Sequence, residues 1–195
     1  MPLKPEDMDF VSNFSMLWQV VLGAVLATAG GFAATQMERI VGRRERQRNS
    51  ALLFGELLAT VLLLVEIAGP SRERGEPYGR FTMRMLHSVR REIDIYERNR
   101  ERLFDLEDGA LRARIHTSMV RVAMPLDNLL ETTREIERAR QERAIEGEIA
   151  NLEAQRNDQF DFLVEAAARL KPIVSQLEPL ARHSFEGLSE IARAA

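Results

Sequence analysis

The chain has 195 residues, 45% apolar and 29% charged, a balance that excludes both an intrinsically disordered chain and a multi-span membrane protein. It contains no cysteine, which removes disulfides, thiolate metal ligands and Cys nucleophiles, and its net charge of −3 argues against non-specific nucleic-acid binding. Only 7 prolines and 11 glycines interrupt it, and 9 Phe, 2 Tyr and 1 Trp are few for a β-rich core.

No charged residue lies between Phe10 and Met37. A helix needs ~20 apolar residues to cross ~30 Å of hydrocarbon, and a soluble helix seldom runs so far without a charge because one face must meet water. The expected division is a short extracytoplasmic N-terminus at 1–13 and a transmembrane anchor at 14–37. Asp9, Ser12 or Asn13 would cap its start, and Trp18 would sit near the outer interface. A cleavable signal peptide fits poorly, because Lys4, Glu6, Asp7 and Asp9 leave the leading segment acidic. Within the span, Gly23, Ala27 and Gly31 recur every four residues and form a groove through which a second helix could approach. Membrane helices are rich in Gly and Ala anyway, so the pattern alone is also compatible with no partner.

An Arg-rich juxtamembrane segment follows at 38–50. Arg39, Arg43, Arg44, Arg46 and Arg48 outnumber Glu38 and Glu45. Acidic residues before the span and arginines after it place the N-terminus outside and the rest of the chain in the cytoplasm. The same arginines could meet anionic lipid headgroups, at about 1 kcal/mol each near the surface, or simply set topology.

Residues 51–69 are nearly as apolar but carry Glu56 and Glu66. Nine Leu, Ile and Phe residues at about −0.5 kcal/mol each roughly balance two carboxylates at about +2.5 to +3.5 kcal/mol or less toward the ends. A bundle helix and a second span are therefore nearly isoenergetic. Arginines on both sides (Arg48; Arg72, Arg74, Arg80 and Arg84) favour the bundle helix, with Gly55, Glu56, Ala59, Thr60 and Glu66 in one outward-facing sector.

Gly69-Pro70 and Pro77 mark a turn. A 3/4 rhythm then runs through Thr82, Leu86, Val89, Ile93, Tyr96 and Leu103, and Asp108 is the expected N-cap of the next helix. Ile115, Met119, Val122, Leu126, Leu129 and Ile136 form a seam that Ile145, Ile149 and Leu152 resume after a phase shift, with a kink expected at Pro125. Phe160, Leu163, Ala167, Leu170, Val174, Leu177, Ala181, Leu188 and Ile191 form the last seam, bent at Pro172 and Pro179. The expected fold is all-α: a single-pass anchor followed by an antiparallel helical bundle or coiled-coil domain over 51–195, with helices at about 51–68, 78–104, 110–156 and 159–193.

No Walker loop, dinucleotide fingerprint, H-E-x-x-H or G-x-S-x-G occurs. Arg84, Ala113 and Leu180 stand three residues before His87, His116 and His183, so the Glu-x-x-His pairs of di-iron bundles are absent too. The layout resembles that of small bacterial inner-membrane proteins with an N-terminal anchor, an Arg-rich exit and a cytoplasmic helical domain. The expected role is a non-catalytic, self-associating, membrane-tethered scaffold or interaction component. The alternative is a two-span regulatory or signal-transmitting protein with Glu56 and Glu66 in or near the bilayer. Expected partners are the lipid bilayer, a second copy of the chain and a protein engaged through the helical seams, with no nucleic acid, small-molecule substrate, metal or cofactor.

Overall fold

The computed structural model describes residues 5–74, 77–185 and 187. The chain forms two compact units, Met1–Glu45 and Arg46–Ala195. Among the described residues every regular element is helical: α1 (Pro5–Arg74), α2 (Arg80–Asn99), a 3-10 segment (Arg100–Asp105), α3 (Gly109–Glu142), α4 (Glu146–Ala168) and α5 (Lys171–Ala181).

The first unit is the N-terminal part of α1. Helix begins at Pro5, so Asp9, Ser12 and Asn13 lie inside it rather than capping it. Pro5 suits a first helical position, where a missing N–H leaves nothing unsatisfied. Glu6, Asp7 and Asp9 then lie where the helix dipole favours negative charge. Met1–Lys4 lie outside the described residues.

The second unit is a four-helix bundle whose register can be read from its polar ties. Ser50 donates to Asp105 (3.1 Å), Phe54 meets the Tyr96 ring edge-on at 6.0 Å, and Ser71 is 2.9 Å from the Thr82 hydroxyl. Ascending numbers in α1 thus meet descending ones in α2 and the 3-10 segment. Tyr96 with His116 and Arg90 with Asp127 give the same antiparallel sense to α2 and α3. Arg140 with Glu153 does so for α3 and α4. Arg72 with Asp161 and Arg48 with the Ala181 carbonyl close the ring by laying α4 and α5 against α1. Short connections between amphipathic helices leave this as the arrangement that buries every apolar stripe.

The expected seams supply the core. Thr82, Leu86, Val89, Ile93, Tyr96 and Leu103 are buried, as are Ile115, Met119, Val122, Leu126, Leu129 and Ile136. Phe160, Leu163, Ala167, Leu170, Val174, Leu177 and Ala181 complete it. Leu188 and Ile191 lie outside the described residues.

Four boundaries differ from expectation. First, α1 continues through Gly69-Pro70 to Arg74. Pro70 removes one ladder donor, but tertiary ties hold the last turn: the Ser71 hydroxyl donates to the Ala68 carbonyl (2.8 Å), and Arg72 reaches α4. Second, the 78–104 helix is α2 followed by the 3-10 segment. Asn99 donates to the Ile95 carbonyl (2.8 Å) and the tightened backbone points Leu103 and Leu106 inward.

Third, the single helix at 110–156 is a helical hairpin. α3 stops at Glu142, Arg143 adopts a left-handed conformation (φ 55°, ψ 42°), and the Ala144 N–H reaches back to the Ala139 carbonyl at 2.9 Å. This is the Schellman termination with arginine in the position glycine usually takes. The phase shift after Ile136 was therefore the trace of a fold-back, which occurs at 143–145 and not at Pro125, a buried residue inside α3. Ile145 is exposed instead of resuming the seam. Fourth, the 159–193 helix is the end of α4 plus α5, separated at Arg169–Leu170. Pro172 occupies the first turn of α5, where it starts a helix rather than bending one. Asp108 caps α3 as expected, accepting from the Ala110 and Leu111 N–H groups at 2.8 and 3.1 Å.

Candidate membrane segment and bundle surfaces

α1 is long and apolar enough to cross a membrane: within Leu26–Arg72 an 18-residue window reaches a mean hydropathy of 2.2, and half of that window is buried in the protein. Its two apolar portions have opposite surroundings. In the first unit Leu22, Leu26, Phe32, Met37, Ile40 and Val41 are all exposed. In the second unit Ala51, Phe54, Leu57, Leu58, Val61, Val65 and Ala68 are buried in the bundle core. The apolar residues of 51–69 thus have apolar partners within the bundle.

Within the first portion the Thr35 hydroxyl donates to the Gly31 carbonyl at 2.9 Å. A hydroxyl on an otherwise apolar helix is thus satisfied inside the helix, as a hydrocarbon environment requires. Ala27 and Gly31 are exposed, and a Cβ on Gly31 would meet nothing within 4 Å. The surroundings of Gly23 and Trp18 lie outside the described residues. Arg39, Arg43 and Arg44 are exposed in the first unit, and Arg46 and Arg48 are exposed in the second. The backbone is helical throughout 38–50.

Glu56 and Glu66 are both exposed, as the outward sector requires, but Gly55 and Ala59 are buried. The correction has a specific cause. After α5, Arg182 takes a left-handed conformation (φ 53°), Glu178 accepts from the Phe185 N–H at 2.9 Å, and the Phe185 ring comes down on Gly55. A Cβ built on Gly55 would overlap that ring. Small residues in a polar sector signalled an insertion slot rather than a solvated face.

Two aromatic–basic clusters hold the bundle. Toward the end of α1, Arg72 lies 4.6 Å from the Phe160 ring centroid while pairing with Asp161. Arg156 lies 3.8 Å from the Tyr78 centroid, and the Tyr78 hydroxyl donates to Asn157 at 2.8 Å. Burial raises the Tyr78 phenol above its ordinary value, opposed by the adjacent Arg72 and Arg156 charges, and burial lowers Arg156. Arg156 Nε is buried with no hydrogen-bond partner among the described residues, so the ring face is what it meets. Between α2 and α3, the Tyr96 hydroxyl is 2.9 Å from His116 Nδ1, and burial pushes the phenol up to about 12. This pair lines a cavity of about 260 Å³ with Glu97, Arg100 and Met119.

Because the seams are filled internally, the apolar groups left outside are different residues. Met124 (62% exposed) on α3 and Phe162 (58%) on α4 line a cavity of about 340 Å³ together with Pro125 and Ala166, flanked by Arg121 and Arg169. Phe81, Phe104 and Val120 are exposed elsewhere on the unit. None belongs to the 3/4 rows, so periodicity alone does not mark them; their signal is an apolar residue set off the buried row. His87 and His183 are exposed, and among the described residues no group of three His, Asp or Glu side chains gathers to hold a metal ion. Comparison with known protein families, curated proteins and solved structures finds no match.

Proposed function

We propose that the protein is a membrane-tethered helical scaffold, anchored by the uncharged portion of α1, with the bundle as a cytoplasmic interaction unit and no catalytic role. The carrying observation is the contrast inside one helix: large apolar side chains stand exposed between Leu22 and Val41, whereas equally apolar residues between Ala51 and Ala68 are buried. Exposed contiguous apolar surface of that extent is stable only against lipid or another protein. The exposed arginines that follow it favour the cytoplasmic side of a bacterial inner membrane for the bundle. Self-association through Gly23, Ala27 and Gly31 is part of the proposal, since an open face beside Gly31 permits close approach of a second helix. For a protein partner, the exposed groove between α3 and α4 with Met124 and Phe162 is the available surface, because the seams already serve the core.

The test is membrane fractionation followed by an alkaline carbonate wash. Retention in the pellet until detergent is added supports the tether; recovery in the soluble fraction without detergent overturns it. The two-span alternative draws on Glu56 and Glu66, but Glu56 adjoins buried Leu57 and Glu66 adjoins buried Val65 of the bundle, an arrangement that favours the single span.

A further inference from the structure

One end of the bundle combines an exposed aromatic ring with several arginines. Phe104 is 80% exposed on the 3-10 segment, the most exposed aromatic side chain among the described residues. Arg100 and Arg102 flank it in sequence and are exposed, and Arg112 lies 5.8 Å from its centroid. The Ser50–Asp105 hydrogen bond (3.1 Å) fixes this segment beside the point where α1 enters the bundle, where Arg46 and Arg48 are also exposed. The Arg48–Ala181 contact (3.3 Å) brings Arg182, also exposed, to the same end. Glu97, Glu101 and Glu107 are the exposed acids nearby, outnumbered by the arginines, while Asp105 and Asp108 are engaged by Ser50 and by the α3 N-terminus. Basic side chains therefore dominate the surface around an exposed ring.

We infer that this end docks on an anionic phospholipid surface, Phe104 entering the headgroup–acyl boundary while Arg100, Arg102, Arg46, Arg48 and Arg182 meet phosphates. An aromatic ring amid arginines is the combination that binds such an interface: apolar burial supplies the wedge and charge attraction the selectivity for anionic headgroups. The inference rests on the tethered reading, which holds this end near a bilayer. It adds that the bundle lies against the membrane rather than hanging free of it.

The absence of native cysteine allows a direct test on the full chain. Phe104→Cys and, at the far end of α3, Ile145→Cys are each labelled with an environment-sensitive fluorophore and reconstituted into vesicles of phosphatidylcholine with or without phosphatidylglycerol. Docking predicts blue-shifted emission at 104, quenched by lipid-borne nitroxide only when phosphatidylglycerol is present, and no response at 145. Adding Arg100→Glu and Arg102→Glu should abolish the response at 104 while the protein still floats with the vesicles. Flotation with the 104 probe fully in water overturns the docking alone. Failure to float with either vesicle overturns both the docking and the tether.

Discussion

Gly55 and Phe185 are 130 positions apart yet share one space, because a Cβ on the glycine would overlap the ring. Gly55→Ala should therefore destabilise the bundle by about 1–3 kcal/mol, as overpacking does, although alanine is the better helix former. Gly69→Ala is the matched control: it sits in the same helix with nothing within 4 Å of the added carbon, and should be neutral or stabilising by roughly 0.5–1 kcal/mol. Denaturant midpoints followed by circular dichroism would compare them, and equal effects would remove the slot from the account. The tyrosines give a pH prediction. Burial raises both phenols, Tyr96 to about 12, so the folded state holds protons there that the unfolded chain has released. Stability contributed by these neutral phenols is complete below pH ~10 and falls as pH rises from about 10 toward 12. Absorbance at the phenolate band should stay low through pH 10 in the folded protein and rise on adding denaturant. Phenolate formation at pH 10 in the native state would contradict the burial of Tyr96.

At the scale of elements, α3 and α4 illustrate what a single sequence conveys and what it hides. Their buried rows were legible because a helix needs its apolar residues every three or four positions, and Ile115 to Leu129 and Phe160 to Leu177 obey that rule. The turn between them was not, since 143–145 is Arg-Ala-Ile, with none of the Gly, Pro or Asn that mark a reversal. Arg143, an exposed residue between two packed helices, holds a left-handed conformation at an intrinsic penalty of about 1–2 kcal/mol. Arg143→Gly should relieve that strain and stabilise the hairpin by about 1 kcal/mol, raising the denaturation midpoint, whereas Arg143→Ala should not. A lower midpoint for the glycine variant would mean that the chain continues as helix there. One ion pair spans the hairpin, Arg140 with Glu153 at 2.6 Å. Both side chains are partly exposed, so Glu153→Ala should change stability by no more than ~1 kcal/mol. In the anchor, Gly23→Leu with Gly31→Leu should lower dimer yield on crosslinking in membranes; an unchanged yield would discard the small-residue groove.

For the molecule as a whole, composition separated an uncharged helix from a charged one, but could not say which of two similar apolar stretches meets lipid. Residues 51–69 looked ambivalent because insertion and bundle packing use the same leucines. In the three-dimensional arrangement Phe54, Leu58 and Val65 share one core with Leu86, Ile93 and Leu163, while Leu26 and Phe32 are exposed. The exposed groups Phe104, Met124 and Phe162 were not legible for the complementary reason: a residue off the buried row carries no periodic signature. The most direct measurement is paired reporter fusions at Ala195, one active only in the cytoplasm and one only in the periplasm. A single lipid-crossing stretch with its arginines inside predicts activity from the cytoplasmic reporter alone. Activity from the periplasmic reporter would show that the chain crosses a second time, and would contradict the assignment of residues 51–69 to the bundle core.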